Sequence, residues 1–84
     1  MHEMSIALEI CRIAAERVGQ DRAPTVRAVG LDLGQEAGVD PDSLRLWLDV
    51  LLADPPFHGA RPEISLRPGD TLKLSYLTVD DDGP

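Results

Sequence analysis

Apolar residues recur at helical spacing along the first stretch of the chain. Ala7, Ile10, Cys11, Ala14 and Val18 share one side, while Glu9, Arg12 and Glu16 fall mostly on the other. The spacing predicts a helix over 4–18. Glu9 and Glu16 each lie within one turn of Arg12 and can form weak surface pairs with it. Gly19 suits a C-cap, and Pro24 disfavours helical continuation, so 20–24 reads as a connector. From Val26 to Leu33 the period changes to two. Val29, Leu31 and Leu33 share one face, and Gly30 and Asp32 the other, which predicts a strand. Gly34 and Gly38 bracket the loop that follows.

The second helix has the clearest start signal. Asp40 can cap it, Pro41 fits its first position, and Asp42 complements the positive end of the helix dipole. Leu44, Trp47, Leu48 and Leu51 form an apolar stripe that Leu46, Val50 and Leu52 widen, so the helix is expected to lie against a sheet with Trp47 in the core. Asp54-Pro55-Pro56 stops it. Residues 62–79 read as a hairpin: Ile64 and Leu66 alternate before Arg67-Pro68-Gly69-Asp70, and Leu72, Leu74 and Tyr76 after it. Pro and Gly occupy the central positions of a type II turn. Leu77 and Val79 switch phase, which predicts a bulge or twist near the end of the last strand. The order α-β-α-β-β gives a two-layer α+β domain, with two helices on one face of a three-stranded sheet. It spans 1–79, and 80–84 read as a frayed, acidic, flexible tail.

Composition narrows the function classes. Eighty-four residues make one small domain, and a hydrophobic share of 43% is enough for a modest core. Eight basic residues against fifteen acidic ones give a net charge of -7, which disfavours nucleic-acid binding, since phosphate neutralisation needs clustered Lys and Arg. No apolar run reaches the length of a membrane span. Glu3 and Glu9 interrupt the apolar start, which argues against a signal peptide and for a cytoplasmic protein. Cys11 is the only cysteine, so neither an internal disulfide nor a CxxC metal site is available; it reads as a small thiol on the apolar face of the first helix. No Ser-His-Asp set, close carboxylate pair in a cleft or Gly-rich phosphate loop is present, and the chain is not read as an enzyme.

The candidate chemistry sits at the start, Met1-His2-Glu3. A histidine at position 2 places the terminal amine of Met1, the amide nitrogen of His2 and its imidazole side by side. They can form two fused chelate rings in one plane once the amide proton is displaced. Such a nitrogen-rich, tetragonal set suits Ni(II) or Cu(II) rather than Mg, Ca or structural Zn. A fourth planar position stays open, which suits transfer better than storage. Glu3 can orient the imidazole by accepting its hydrogen bond, or serve as a helix-start carboxylate; the two roles are compatible. His58, the other histidine, reads as an exposed loop residue. The aspartates near the C-terminus could hold a hard cation but read better as a solvated run.

The chain also resembles a known family. Met1 to Leu8 followed by an amphipathic helix, the stretch Val29 to Val39, Asp42-Ser43-Leu44 with Leu48 to Leu52, and Gly59-Ala60 leading to Glu63-Ile64 look like the HypA/HybF nickel metallochaperones. The resemblance covers nearly the whole chain and rests on order and spacing more than on any single motif. It implies a nickel-binding α+β domain with metal at the N-terminal amine and His2, Glu3 supporting. It also implies delivery of nickel to [NiFe]-hydrogenase, or in some members urease, with a HypB-like GTPase and the hydrogenase large subunit as partners. The family carries a zinc domain with paired CxxC motifs inserted between its last two strands. Here the corresponding place, near Leu66 to Leu72, holds only the Arg67-Pro68-Gly69-Asp70 turn, so no structural zinc is expected.

Two functional readings follow from different classes. One is a nickel-binding accessory protein; the other is a metal-independent interaction module that keeps the fold and docks a maturation GTPase or hydrogenase subunit. The exposed edge of a three-stranded sheet leaves the chain a monomer or weak dimer.

Overall fold

The structure is a computed structural model that describes residues 3–80. Helix α1 spans Glu3–Val18, a single 3-10 turn Ala23–Thr25, strand β1 Val26–Gly34, helix α2 Pro41–Leu52, strand β2 Arg61–Arg67 and strand β3 Leu72–Val79. The expected α-β-α-β-β order is present. Local sequence chemistry accounts for the ends. Gly19 has φ +86° and donates its N–H to the Ala15 carbonyl at 2.8 Å, closing α1 as a left-handed C-cap. Asp40 caps α2, its Oδ1 accepting from the Asp42 N–H at 3.0 Å, with Pro41 in the first turn. Asp40→Ala is therefore expected to lower stability by ~1 kcal/mol, read from the denaturant midpoint at unchanged slope.

The core forms between the helices and one face of β1. Ala7, Ile10 and Ala14 of α1 and Leu44, Leu48 and Leu52 of α2 close over Val29, Leu31 and Leu33. Two shifts of register let β1 present Val26 to the same core as Val29 and oppose an irregular β3. On the opposite face, Asp32 accepts from the Arg67 guanidinium at 3.3 Å, and the Tyr76 hydroxyl donates to Glu63. That hydrogen bond holds the Tyr76 phenol above its ordinary pKa by favouring the protonated form. The expected pairing of Arg12 with Glu9 and Glu16 is also present on the exposed side of α1.

Three expectations need correction. First, β2 and β3 are not a hairpin. The sheet order is β2-β1-β3, with β1 parallel to β2 and antiparallel to β3. Alternation identifies strands but not their neighbours. β1, buried along most of its length, takes the central place, and α2 supplies the crossover that a parallel β1–β2 pair requires. The Arg67–Thr71 segment is a strap over the end of β1: Gly34 donates to the Thr71 carbonyl at 2.7 Å, Gln35 to Arg67 at 2.8 Å and Glu36 to Gly69 at 2.8 Å. Gly69 has the positive φ of a type II turn, +98°.

Second, the stripe of α2 is narrower than its sequence suggests. Leu44, Leu48 and Leu52 are fully buried, but Trp47 sits at the rim, 37% exposed, and Leu46 and Val50 face solvent. A three-stranded sheet under two helices offers too little area to cover a wider stripe. Third, Asp80 is not part of a frayed tail. Its N–H donates to the Thr25 carbonyl at 2.7 Å, and its carboxylate pairs with Arg27. The rest of the expected tail, 81–84, lies outside the described residues. The phase switch in β3 is real: Gly30 opposes Tyr76 and Leu31 opposes Leu74, leaving Ser75 as the extra residue. Because the bulge precedes Tyr76, that ring lies on the open face over Gly30 and not in the core.

Candidate metal site at the amino terminus

Glu3, the first residue of α1, is the part of the expected nickel site that falls within the described residues; Met1 and His2 lie outside them. Its carboxylate sits at the start of the helix, where the free N–H groups favour a negative charge. It also makes a contact that sequence spacing does not disclose. Glu3 Oε2 accepts a hydrogen bond from the backbone N–H of Asp40, 3.2 Å away. Asp40 is the cap of α2, so one carboxylate ties the starts of the two helices together, across thirty-seven residues of chain.

This contact gives the region a defined position. β1 ends at Gly34, the loop to α2 begins there, and the strap between β2 and β3 closes over the same strand end. The start of α1, the start of α2 and the strap therefore gather at one end of the domain. The short strap occupies the place where the resemblance puts an inserted zinc domain. Glu3, Asp40 and Asp42 concentrate negative charge at this end, which favours the approach of a cation. A carboxylate has acceptor sites on both oxygens, so the bond to Asp40 leaves Glu3 able to accept from an imidazole as well.

The remaining candidates stand apart. His58 is exposed on the loop after α2. Cys11 is half-buried in a groove between α1 and the end of α2, about 620 Å³ in volume and lined also by Leu8, Leu51 and Phe57. Burial pushes its thiol up to about 11, so it stays protonated and unreactive near neutral pH, as a small core residue does. Among the described residues, no three His, Cys, Asp or Glu side chains converge as a metal-binding group. No helix among them is long and apolar enough to cross a membrane. The residue that the sequence pattern leaves unassigned at this site is Asp40 as a partner of Glu3; helical capping is legible locally, a contact between two helix starts is not.

Comparison with known proteins assigns the chain to a family. Residues 1–72 match the family described as hydrogenase/urease nickel incorporation, metallochaperone, hypA. A hydrogenase maturation factor HypA from Alkalilimnicola ehrlichii is 39% identical over 74 residues, covering 88% of this chain and 66% of its own length. The factor of the same name from Azoarcus sp. is 37% identical over 79 residues, covering 94% and 69%. That from Albidiferax ferrireducens is 35% identical over 69 residues, covering 82% and 61%. The chain thus spans between 61% and 69% of the length of these relatives. In fold it is similar to the solution structure of the Ni metallochaperone HypA from Helicobacter pylori, with a TM-score of 0.68 at 13% identity, over 90% of this chain and 72% of that one. The family description is that of a metal carrier and not of an enzyme. On the family match and the curated relatives together, the chain belongs to the HypA family.

Proposed function

We propose that this protein is a cytoplasmic nickel carrier of hydrogenase maturation, a single domain that includes Asp80 and holds Ni(II) at its first residues. The Met1 amine, the His2 amide nitrogen and the His2 imidazole supply three planar donors, and Glu3 orients the imidazole from the side. The observation that carries this reading is the bond from the Asp40 N–H to Glu3. It fixes the residue next to His2 against the cap of α2 and gives the metal a rigid side to rest on, where a free terminus has none. The open fourth planar position is where a recipient takes hold of the ion. Release to a HypB-like GTPase or to the hydrogenase large subunit follows from ligand exchange there, and no zinc is needed for it.

The competing reading, a metal-independent docking module, draws on Leu46, Trp47 and Val50, which leave α2 with an exposed apolar strip. Calorimetry with Ni(II) separates the two. Untagged protein should bind tightly, and protein carrying an N-terminal extension ahead of Met1 should not, because the extension turns the amine into an amide. Equal binding by tagged and untagged protein would rule out the terminal chelate. Absence of tight binding in either would leave the docking reading.

Glu3→Gln offers a finer check. Gln keeps an oxygen for the Asp40 N–H but removes the charge, so the fold should be retained while nickel affinity falls about 10- to 100-fold, the usual effect of losing a carboxylate that supports a metal ligand. A thermal melt alongside the titration distinguishes this from unfolding.

A further inference from the structure

We propose that the outer edge of β3 pairs antiparallel with the β3 of a second copy of this chain across a two-fold axis, joining the two sheets into one. The two edges of the sheet differ. β2 carries Pro62 and the charges of Arg61, Glu63 and Arg67, which are common guards of a free edge. β3, Leu-Lys-Leu-Ser-Tyr-Leu-Thr-Val, has no proline and one charge, Lys73.

The backbone of β3 suits self-pairing. Thr71 turns its carbonyl, and Asp80 its N–H, inward toward β1 and the segment before it. With Ser75 bulged out, alternation from both ends leaves Leu72, Leu74, Leu77 and Val79 with outward-facing amides and carbonyls. The same four side chains lie on the core face and are half-buried. In one antiparallel register Leu72 meets Val79 of the second copy and Leu74 meets its Leu77. Every pair then matches in face and in hydrogen-bonding direction. Without the extra residue at Ser75 the phase would be broken.

Burial and charge favour the same arrangement. A groove of about 630 Å³ runs between α1 and β3, lined by Ile6, Ile10, Ile13, Arg17, Leu72 and Leu74. It opens at the β3 edge, where Leu77 and Val79 of a second copy would continue its floor. Lys73 and Arg17, both at this groove, have no ion-pair partner among the described residues. β3 thus begins basic and runs into Asp80, with Asp81 and Asp82 next in sequence. Antiparallel pairing sets Lys73 opposite Thr78 of the second copy and diagonal to its Asp80, within reach of a lysine. Parallel pairing would place like charge beside like. A net charge of -7 opposes association in general, and the antiparallel arrangement offsets this locally by bringing the Lys73 of each copy toward the acidic end of the other.

Sedimentation of the full chain should show a dimer fraction rising between about 10 μM and 1 mM. Lys73→Glu, exposed and outside the core, should raise the dimer dissociation constant about tenfold, since the lost contact occurs twice per dimer. The register is tested in a Cys11→Ala background. Lys73→Cys protein mixed with Thr78→Cys protein should oxidise to a covalent dimer, whereas each variant alone should cross-link poorly, because position 73 faces 78 and not itself. Circular dichroism checks that these surface variants fold. A chain that stays monomeric through 1 mM, or mixed cysteines that cross-link no better than either alone, would overturn the proposal; a dimer insensitive to Lys73→Glu assigns association to another face and does the same.

Discussion

His2→Ala is expected to abolish tight Ni(II) binding while leaving the fold intact. The substitution deletes the imidazole and, with it, one of the two chelate rings. What remains is an amine and an amide nitrogen whose proton no longer has a strong neighbouring ligand to help displace it. Affinity should fall by at least about a hundredfold, more than the effect expected for a supporting carboxylate. The square-planar, diamagnetic spectrum should disappear with it. The pH profile of the native protein gives a second, independent readout. The imidazole has an ordinary pKa of about 6.5 and the terminal amine one of about 7.7–8.0, and both bind metal only when deprotonated. Protons therefore compete with nickel below pH 8. Affinity should decline as the amine protonates and fall more steeply below about 6.5, where the imidazole does so too. A binding constant flat between pH 8 and 6 would mean that neither group is a ligand. Because Glu3 is held by the Asp40 N–H, the melting temperature of His2→Ala should match that of the native chain, which keeps loss of ligand distinct from loss of structure.

Much of this architecture is legible from local chemistry, and the parts that are not share one cause. Asp40, Pro41 and Asp42 announce the start of α2, Gly19 the end of α1, and the alternation of Val29, Leu31 and Leu33 the buried face of β1. Each signal is written in residues that touch within a few positions of one another. The order of the strands is not. Arg67-Pro68-Gly69-Asp70 carries the residues of a tight turn, and the turn geometry at Gly69 is as expected, yet the strands on either side are separated by β1. A turn motif reports the local path of the backbone; which strand fills the space between its arms depends on which one buries most apolar surface. The same holds for Trp47, Leu46 and Val50, whose helical spacing fits a core stripe that the small sheet cannot cover. At the site, the chemistry of Met1, His2 and Glu3 can be read directly, but the anchor of Glu3 lies thirty-seven residues away and leaves no local trace.

Gly34→Ala is expected to be strongly destabilising, and the strap over β1 is the reason. The glycine ends the central strand, where three backbone bonds from Gly34, Gln35 and Glu36 hold the strap between β2 and β3. A Cβ at this position would lie 2.4 Å from the Gly69 carbonyl oxygen, 2.7 Å from its carbon and 2.8 Å from the Thr71 nitrogen. All three obstacles are backbone, so no side chain can swing aside. Gly30 makes a useful contrast. There a Cβ would meet the Tyr76 ring at 2.2 Å, a closer approach on paper, but the ring lies on the open face and can rotate outward at the cost of its bond to Glu63. Gly30→Ala should therefore be the milder change. At Gly34 relief requires lifting the strap, which breaks the bonds from Gly34 to Thr71 and from Glu36 to Gly69. Overpacking commonly costs ~1–3 kcal/mol, and the immovable neighbours put this case at the upper end, about 3 kcal/mol. In a domain of this size such a loss lowers Tm by roughly 12–24 °C. Paired thermal melts of Gly34→Ala and Gly30→Ala test the assignment: equal losses would mean that the strap yields as easily as a tyrosine ring. The strap also closes the end of the domain that holds Glu3 and Asp40. If that end is one mechanical unit, Gly34→Ala should weaken nickel binding even below its melting temperature, while Gly30→Ala, on the far face of the sheet, should not.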